Sequence, residues 1–203
     1  MILKMNQRKI IVITAIMIIV LISIGLVASL FLGEFSIGLS KIKKIDEKYN
    51  YSIKDYPINF SKIEESQLSV NDLSFMSSEL KNIQIKAKNS ALLSYIEFRT
   101  DLLEAEMNYK LALELGEQGN TKDGFGCKDK PYIISAASYK NQSAHAGYKA
   151  VSKLQEFFKT YPQEADLTEI PKSFPLFLNV SLQEIEKKSN STIKFINRVC
   201  PDN

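Results

Sequence analysis

The chain has 203 residues, with 26 basic and 23 acidic side chains and a net charge of +3. This length is sufficient for one domain with a hydrophobic core, and a nearly neutral chain without basic clusters argues against nucleic-acid binding. The single histidine and the two cysteines match none of the spacings of zinc, haem or di-metal motifs, which argues against a metalloenzyme.

The first predicted element is an uncharged apolar run of 23 residues from Ile10 to Leu32. At about 1.5 Å per residue, a helix of this length crosses a hydrocarbon core of about 30 Å. A cleaved secretory signal has an apolar stretch of only about 7–15 residues. We therefore interpret the run as an uncleaved transmembrane signal-anchor, with a cleaved signal and a buried globular helix as the alternatives.

The charge distribution predicts the orientation of this anchor. Residues 1–33 contain three basic residues and no acidic residue, so residues 34–203 are neutral. Basic residues tend to remain on the cytoplasmic side of a membrane. We expect a single-pass protein of the cell membrane, in which residues 1–9 form a short cytoplasmic tail and the main domain is extracytoplasmic.

Residues 33–66 are predicted to form a juxtamembrane stalk, and residues 67–203 are predicted to form a helical bundle. The stalk has one apolar helical face, and its members are Ile37, Ile42, Ile45 and Tyr49. Pro57 interrupts this helix. The stalk could therefore supply one helix to the bundle.

The first long helix of the bundle is predicted over about residues 72–115. Apolar residues follow a 3-4 spacing along it, and a four-residue step at Ala91 shifts the apolar stripe. The second half of this helix has a broad apolar arc. Such an arc indicates contact with at least two neighbouring elements, so we expect this helix at the centre of the domain.

Two further helices follow. Glycine-rich residues 116–131 predict a loop, and residues 132–160 predict the second helix. Residues 161–180 contain three prolines and predict an irregular connection. The third helix is predicted to begin at Ser181, because Ser181 and Glu184 have the spacing of a capping box. No strand pattern is present, so we predict an all-α fold, with an N-terminal transmembrane helix and an up-down bundle of three or four helices.

The two cysteines predict one disulfide. Cys127 precedes the second helix and Cys200 ends the third, so antiparallel packing of these helices would bring the two residues together. A disulfide would close a loop of about 73 residues, for which chain entropy predicts a stabilisation of about 4 kcal/mol. The alternative is two free thiols in a domain that faces the cytosol.

Asn-x-Ser/Thr sequons are also typical of an exported domain. The candidate glycosylation sites are Asn50, Asn59, Asn179 and Asn190. A fifth sequon, at Asn141, lies at the edge of the packed side of the second helix, where a glycan fits poorly. Use of any sequon depends on whether the host glycosylates proteins.

No residue pattern predicts a catalytic, cofactor-binding or metal site. His145 is isolated from any motif, and we interpret it as a surface or packed histidine. Arg99 and Glu106 project within the apolar arc of the first long helix. We predict that they form a polar tie to a neighbouring helix, or a pair across an oligomer interface. The alternative for Glu106 is an intrahelical pair with Lys110.

The predicted function is that of a membrane-anchored, extracytoplasmic interaction or structural module without a catalytic site or cofactor. Its predicted partners are the lipid bilayer and either another protein or a second copy of the chain, and not nucleic acid. The alternative is a ligand-sensing bundle, which would act through a separate membrane partner because a nine-residue tail holds no output domain. An enzyme is the least supported class.

Overall fold

A computed structural model describes residues 7–53, 68–119 and 126–201; within residues 7–48, it describes the side chains of 14, 16–23 and 32–48. All regular elements of these ranges are helical. The prediction of an all-helical bundle with one disulfide is confirmed. The α-helices are α1 (Gln7–Lys48), α2 (Val70–Lys86), α3 (Ser90–Gly119), α4 (Lys130–Thr160), α5 (Pro162–Leu167) and α6 (Phe174–Val199).

Helix α1 is continuous over 42 residues. In its first half, the described apolar side chains of residues 16–22 are between 48% and 63% exposed. The side chains of residues 10–13, 15 and 24–31, which belong to the predicted membrane-spanning run, lie outside the described part. Among the residues that are described, no helix is both long enough and apolar enough to cross a membrane.

The second half of α1 packs into the bundle. Its buried side chains follow a 3-4 spacing, and they are Phe35, Leu39, Ile42 and Ile45. Ile37, a predicted member of this face, is instead exposed. The turn after α1 also contributes to the core through Tyr51 and Ile53. The predicted stalk is therefore part of the bundle up to residue 53, because its apolar face has a partner. Residues 54–66, with Pro57 and Asn59, lie outside the described ranges.

The predicted single helix over residues 72–115 is wrong, because the structure divides it into α2 and α3. Ala87 has an extended backbone, with φ −78° and ψ 136°. The Asn89 side chain then accepts a hydrogen bond of 2.9 Å from the Leu92 N–H. Asparagine is favoured at this capping position because it satisfies a free N–H of the first turn. The shift of the apolar stripe at Ala91 lies two residues after this cap.

The predicted start of the last helix at Ser181 is also wrong. Helix α6 begins at Phe174, with Pro175 in its first turn, where the missing N–H of proline has no helical partner to lose. The Ser181 hydroxyl lies inside the helix and donates to the Phe177 carbonyl at 3.2 Å. The predicted irregular connection contains α5, in which Pro162 is likewise in the first turn.

Helices α3, α4 and α6 form an antiparallel layer in which small residues allow close approach. The Ser143 hydroxyl of α4 donates to the Ala105 carbonyl of α3 at 2.7 Å. The Ser189 hydroxyl of α6 donates to the Ala137 carbonyl of α4. Both hydroxyls are buried, and each is satisfied by a backbone carbonyl of the neighbouring helix.

Aromatic side chains fill the core where α1 meets this layer. The Phe35 ring of α1 lies 6.3 Å from the Tyr95 ring of α3 and 6.1 Å from the Phe157 ring of α4. The Tyr95 and Phe157 rings lie 5.6 Å apart. All three side chains are buried. The second half of α1 is therefore held by the largest apolar side chains of two other helices.

Gly147 shows how closely α4 and α6 approach each other. A Cβ atom added there would lie 2.5 Å from Cδ2 of the buried Leu182, whereas one added at Gly116 of α3 would meet nothing within 4 Å.

We expect Gly147→Ala to lower the free energy of unfolding by about 1–3 kcal/mol through overpacking. Gly116→Ala, the control, should raise it by about 0.5–1 kcal/mol through helix propensity. Urea unfolding of the full chain in detergent measures both, and equal effects would contradict close packing at Gly147.

Candidate functional site

A buried ion pair connects α1 to the centre of the bundle. The Arg99 guanidinium of α3 donates two hydrogen bonds to the Asp46 carboxylate of α1, from Nη1 to Oδ2 at 3.0 Å and from Nη2 to Oδ1 at 2.6 Å. The Arg99 side chain is 1% exposed and that of Asp46 is 17% exposed. This two-point contact fixes both the position and the rotation of α1, because a carboxylate must face the guanidinium edge.

Two tyrosines complete the surroundings of the guanidinium. The Arg99 Cζ lies 5.1 Å from the centre of the Tyr51 ring and 6.0 Å from that of Tyr95, which is the range of cation–π contacts. Burial alone would lower the pKa of Arg99, but Tyr95 and Asp46 raise it well above its usual value. Burial acts in the opposite direction on the Tyr95 hydroxyl, and it raises the pKa of that group. The site therefore holds a permanent cation beside a neutral phenol.

Glu106 makes a second buried contact with the segment that follows α1. The Tyr51 hydroxyl donates to the Glu106 carboxylate at 2.8 Å, and both residues are buried. Arg99 and Glu106 thus each bind a group in or just after α1. The structure brings both residues to the same neighbouring segment of the chain.

An exposed cluster continues this contact toward α2. The Glu79 carboxylate of α2 accepts hydrogen bonds from Lys48 Nζ at 2.6 Å and from the Tyr49 hydroxyl at 2.9 Å. The Lys48 hydrogen bond is the main reason why the pKa of Glu79 lies below its ordinary value of 4.5; the smaller contribution of burial acts in the opposite direction. The end of α1 is therefore tied to both α2 and α3.

The lowered pKa of Glu79 gives a pH dependence with a defined sign. Because the folded pKa lies below the unfolded one, the contribution to stability is complete above about pH 4.5 and is lost as the pH falls through the folded pKa. We expect an NMR titration to place the Glu79 midpoint below 4.5. Lys48→Met should move this midpoint upward, whereas Lys81→Met, on the same helix as Glu79, should not. An unchanged midpoint in Lys48→Met would contradict the assignment.

An open cleft of about 400 Å³ lies beside the ion pair, between α1 and the connection from α5 to α6. Its polar wall includes Asp46 and Tyr51, and Leu39 lies on its apolar wall. Lys43 of α1 reaches across to Glu169 with an N–O distance of 3.2 Å. A concave surface with apolar walls and a few polar groups is typical of small-molecule sites.

A second surface feature is an apolar patch on α6. Leu176, Phe177 and Val180 lie on one side of the first turns of this helix, and they are 65%, 49% and 52% exposed. Leu178, which lies between them in sequence, is buried in the core. Adjacent exposed apolar side chains of this size are characteristic of contact surfaces for other proteins.

Two acidic residues of α3 pair with a lysine of α4. Lys153 Nζ of α4 lies 2.9 Å from the Asp101 carboxylate and 3.3 Å from that of Glu97. These pairs connect α3 to α4. His145 is exposed on α4. In the part of the chain that the structure describes, no three His, Cys, Asp or Glu side chains gather closely enough to hold a metal ion.

The disulfide prediction is confirmed between Cys127 and Cys200, whose Cα atoms lie 5.4 Å apart. Cys127 lies in a short 3₁₀ turn before α4, and Cys200 follows α6. Beside the bridge, Lys130 Nζ donates to the Cys200 carbonyl at 2.8 Å. A cation at the end of a helix is favourable because the last carbonyl groups carry partial negative charge.

The sequons lie in different surroundings. Asn50 and Asn190 are exposed, and Asn179 is half-buried. Asn141 is also half-buried, and its amide donates to the Asn190 side chain at 3.2 Å. Asn59 lies outside the described ranges. Glycosylation of Asn50, Asn179 and Asn190 stays a prediction.

Sequence reasoning missed Asp46 and Tyr51, which bind Arg99 and Glu106. Asp46 follows Ile45 and lies four residues after Ile42, so it continues the buried face of α1. A carboxylate on an apolar helix face, together with an arginine in the apolar arc of another helix, was the available signal. Tyr51 lies after the end of α1, where helical periodicity makes no prediction.

No protein-family model matches the chain, and no curated protein or solved structure matches it either. The function proposed below therefore rests on the residues and geometry of the chain itself.

Proposed function

We propose that the protein is a membrane-anchored, extracytoplasmic helical module that acts by contact with a partner and has no catalytic site of its own. The observation that carries this proposal is the continuity of α1. One helix of 42 residues carries the exposed apolar stretch at residues 16–22 and, further on, the buried Phe35 and Ile45 of the bundle core. An anchor in this helix would hold the bundle directly at the bilayer.

The exposed stretch supports an anchor on physical grounds. Burial of apolar surface stabilises by about 25 cal/mol per Å², and seven consecutive large apolar side chains about half exposed to water are therefore unfavourable unless they are covered. A hydrocarbon environment covers all sides of a helix at once. The disulfide between Cys127 and Cys200 agrees with an oxidising compartment outside the cytosol.

The apolar patch on α6 supports action by contact. Leu176, Phe177 and Val180 belong to a helix whose opposite face is filled by Phe174 and Leu178 in the core. Their exposure is therefore not needed for folding of the bundle. A partner that covered this patch would remove three large apolar side chains from water.

The anchor and its orientation can be tested on membranes of cells that express the full chain. We expect the protein to stay in the membrane pellet at high pH. In intact cells, a membrane-impermeant alkylating reagent should label Cys127 and Cys200 only after reduction of their disulfide with an impermeant reductant. Release from the pellet would contradict the anchor. Labelling that requires cell lysis would contradict the extracytoplasmic position.

The contact surface can be tested by photo-crosslinking in the same cells. A photoreactive amino acid at Phe177 should give a discrete crosslinked product. The same group at Tyr132, an exposed aromatic residue of α4, should not. Equal products at both positions, or none at Phe177, would contradict action through the patch.

A second candidate function, ligand sensing, is favoured by the cleft beside Asp46. Because α1 forms one wall of this cleft, a ligand could change the position of α1 relative to α3. Native mass spectrometry of the full chain purified from its own host tests this function. A retained small molecule that is lost in Ser52→Trp, which would obstruct the cleft, would support sensing. The absence of such a species would contradict it.

A further inference from the structure

The turn between α2 and α3 has an unusual combination of side chains. Ile85 is 81% exposed, the highest value among the exposed large apolar residues of the described chain. Lys86 and Lys88 lie on either side of Ala87 in the same turn, and both are exposed. An exposed isoleucine beside two lysines suits a surface with anionic groups outside and hydrocarbon beneath.

The contacts of this turn place it at the end of the proposed anchor. The Lys88 N–H donates to the Glu34 carboxylate of α1 at 3.2 Å. Glu34 is two residues beyond Leu32, so it lies only about 3 Å further along the helix axis. If the apolar run spans the bilayer, the turn therefore lies at the level of the lipid headgroups.

The end of α4 lies at the same end of the bundle as the α2–α3 turn. Phe157 of α4 stacks on Phe35, which follows Glu34 in α1. Lys159, two residues later, is exposed. Lys86, Lys88 and Lys159 are therefore basic groups at this end of the bundle, and Lys41 of α1 lines the same groove as Glu34 and Lys86. Glu34 is an acidic group beside them, and its carboxylate already accepts the hydrogen bond of the Lys88 amide. Glu156 lies further from this end, one turn before Lys159.

We propose that the α2–α3 turn binds the surface of the same bilayer that holds the anchor, with Ile85 inserted among the lipids and Lys86 and Lys88 at anionic headgroups. This inference rests on the proposed function, because it requires the anchor. It makes the bilayer a second binding partner of the bundle and limits the tilt of the bundle about residue 33. Anionic lipid headgroups attract basic side chains that lie close to the membrane surface.

The absence of tryptophan from the chain makes a direct test available. Ile85→Trp places one fluorophore in the turn. Phe75→Trp, the matched control, places it on the same helix at a residue that is also exposed, about 15 Å away along the helix axis toward the start of α2. Both full-length variants are placed in nanodiscs of phosphatidylcholine with phosphatidylglycerol, with and without brominated acyl chains. We expect brominated lipid to quench Ile85→Trp at least twofold, and Phe75→Trp by less than a tenth.

The role of the lysines is tested in the Ile85→Trp background. Lys86→Gln with Lys88→Gln should reduce the quenching by about half in nanodiscs that contain phosphatidylglycerol. Lys187→Gln with Lys188→Gln, at exposed positions of α6, should leave it unchanged. Pure phosphatidylcholine should reproduce the effect of the first double substitution. Equal effects of the two double substitutions would overturn the role of the anionic headgroups.

Failure of this inference is distinguishable from failure of the anchor. If the full chain does not enter nanodiscs, the proposed anchor is wrong and the inference falls with it. If the chain enters nanodiscs but Ile85→Trp is quenched no more than Phe75→Trp, the anchor stands and contact by the turn is overturned. Circular dichroism of each variant checks that the helices are retained.

Discussion

Replacement of Asp46 by alanine is expected to destabilise the bundle by about 3 kcal/mol, the magnitude found when one partner of a buried ion pair is removed. The reason is the environment of Arg99, which is 1% exposed and donates two hydrogen bonds to the Asp46 carboxylate. Without this carboxylate, the buried guanidinium has lost its bidentate partner. Urea unfolding of the full chain in detergent, followed by circular dichroism, measures the change.

Glu47→Ala is the matched control for this substitution. Glu47 is the next residue of α1 and is exposed, so its removal should change the free energy of unfolding by less than about 0.5 kcal/mol. The double substitution Asp46→Leu with Arg99→Met should recover most of the lost stability, because apolar side chains of similar volume can replace a buried pair. Equal effects of Asp46→Ala and Glu47→Ala would contradict the importance of the pair.

Removal of the disulfide is expected to have the largest effect on stability. The double variant Cys127→Ser with Cys200→Ser opens a loop with a sequence separation of 73 residues. The chain-entropy model predicts a loss of about 4 kcal/mol, because the unfolded chain becomes less restricted. The expected result is a clear decrease in the urea concentration at the unfolding midpoint of the full chain.

Two controls make this result specific. The wild-type chain in excess reductant should unfold like the double serine variant, and reductant should not affect that variant. Lys130→Met, which removes the hydrogen bond to the Cys200 carbonyl but keeps the disulfide, should have a much smaller effect. An unfolding midpoint that is independent of reductant would contradict a stabilising bridge.

These two expected results concern opposite parts of the bundle. The disulfide fixes the start of α4 to the end of α6, whereas the ion pair fixes α1 to α3. If α1 is the anchor, the ion pair is one of the contacts that hold the bundle to it, together with the packing of Phe35 and the hydrogen bond between Lys88 and Glu34. Asp46→Ala should therefore also weaken the contact of the α2–α3 turn with lipid, which the Ile85→Trp fluorescence would detect.

The helical class, the disulfide and the extent of α4 could be predicted from the sequence. Apolar residues at helical spacing decide the class, because only one face of a helix is buried in such a bundle. The 3.6-residue period also predicted an apolar stripe along this segment, and the buried residues of α3 include Tyr95, Phe98 and Leu102. The helical class and the extent of α4 depend on residues close together in sequence. The disulfide joins residues 73 positions apart, so its prediction also required antiparallel packing of the helices that follow Cys127 and precede Cys200.

The helix boundaries could not be predicted in the same way. Local patterns show which caps are possible, but not which of the competing interactions determines where a helix begins or ends. The capping box at Ser181 has the expected spacing, but burial of Phe174 and Leu178 extends α6 upstream of it. Similarly, the Asn89 cap ends the continuity of the predicted long helix, although the apolar stripe continues across the break. In both cases a tertiary contact or a single side-chain hydrogen bond outweighed the propensity of the segment.

The chain alone indicates the helical class, the cysteine pair, the neutral composition of residues 34–203 and the apolar run that motivates the proposed anchor. The packing of residues 35–53 into the bundle is seen only in the folded protein, as is the binding of Arg99 to Asp46 and of Glu106 to Tyr51. The physical reason is that a buried charge needs a partner, but its partner can lie anywhere in the sequence. Here the ion pair spans 53 residues and is formed only when α1 and α3 lie side by side.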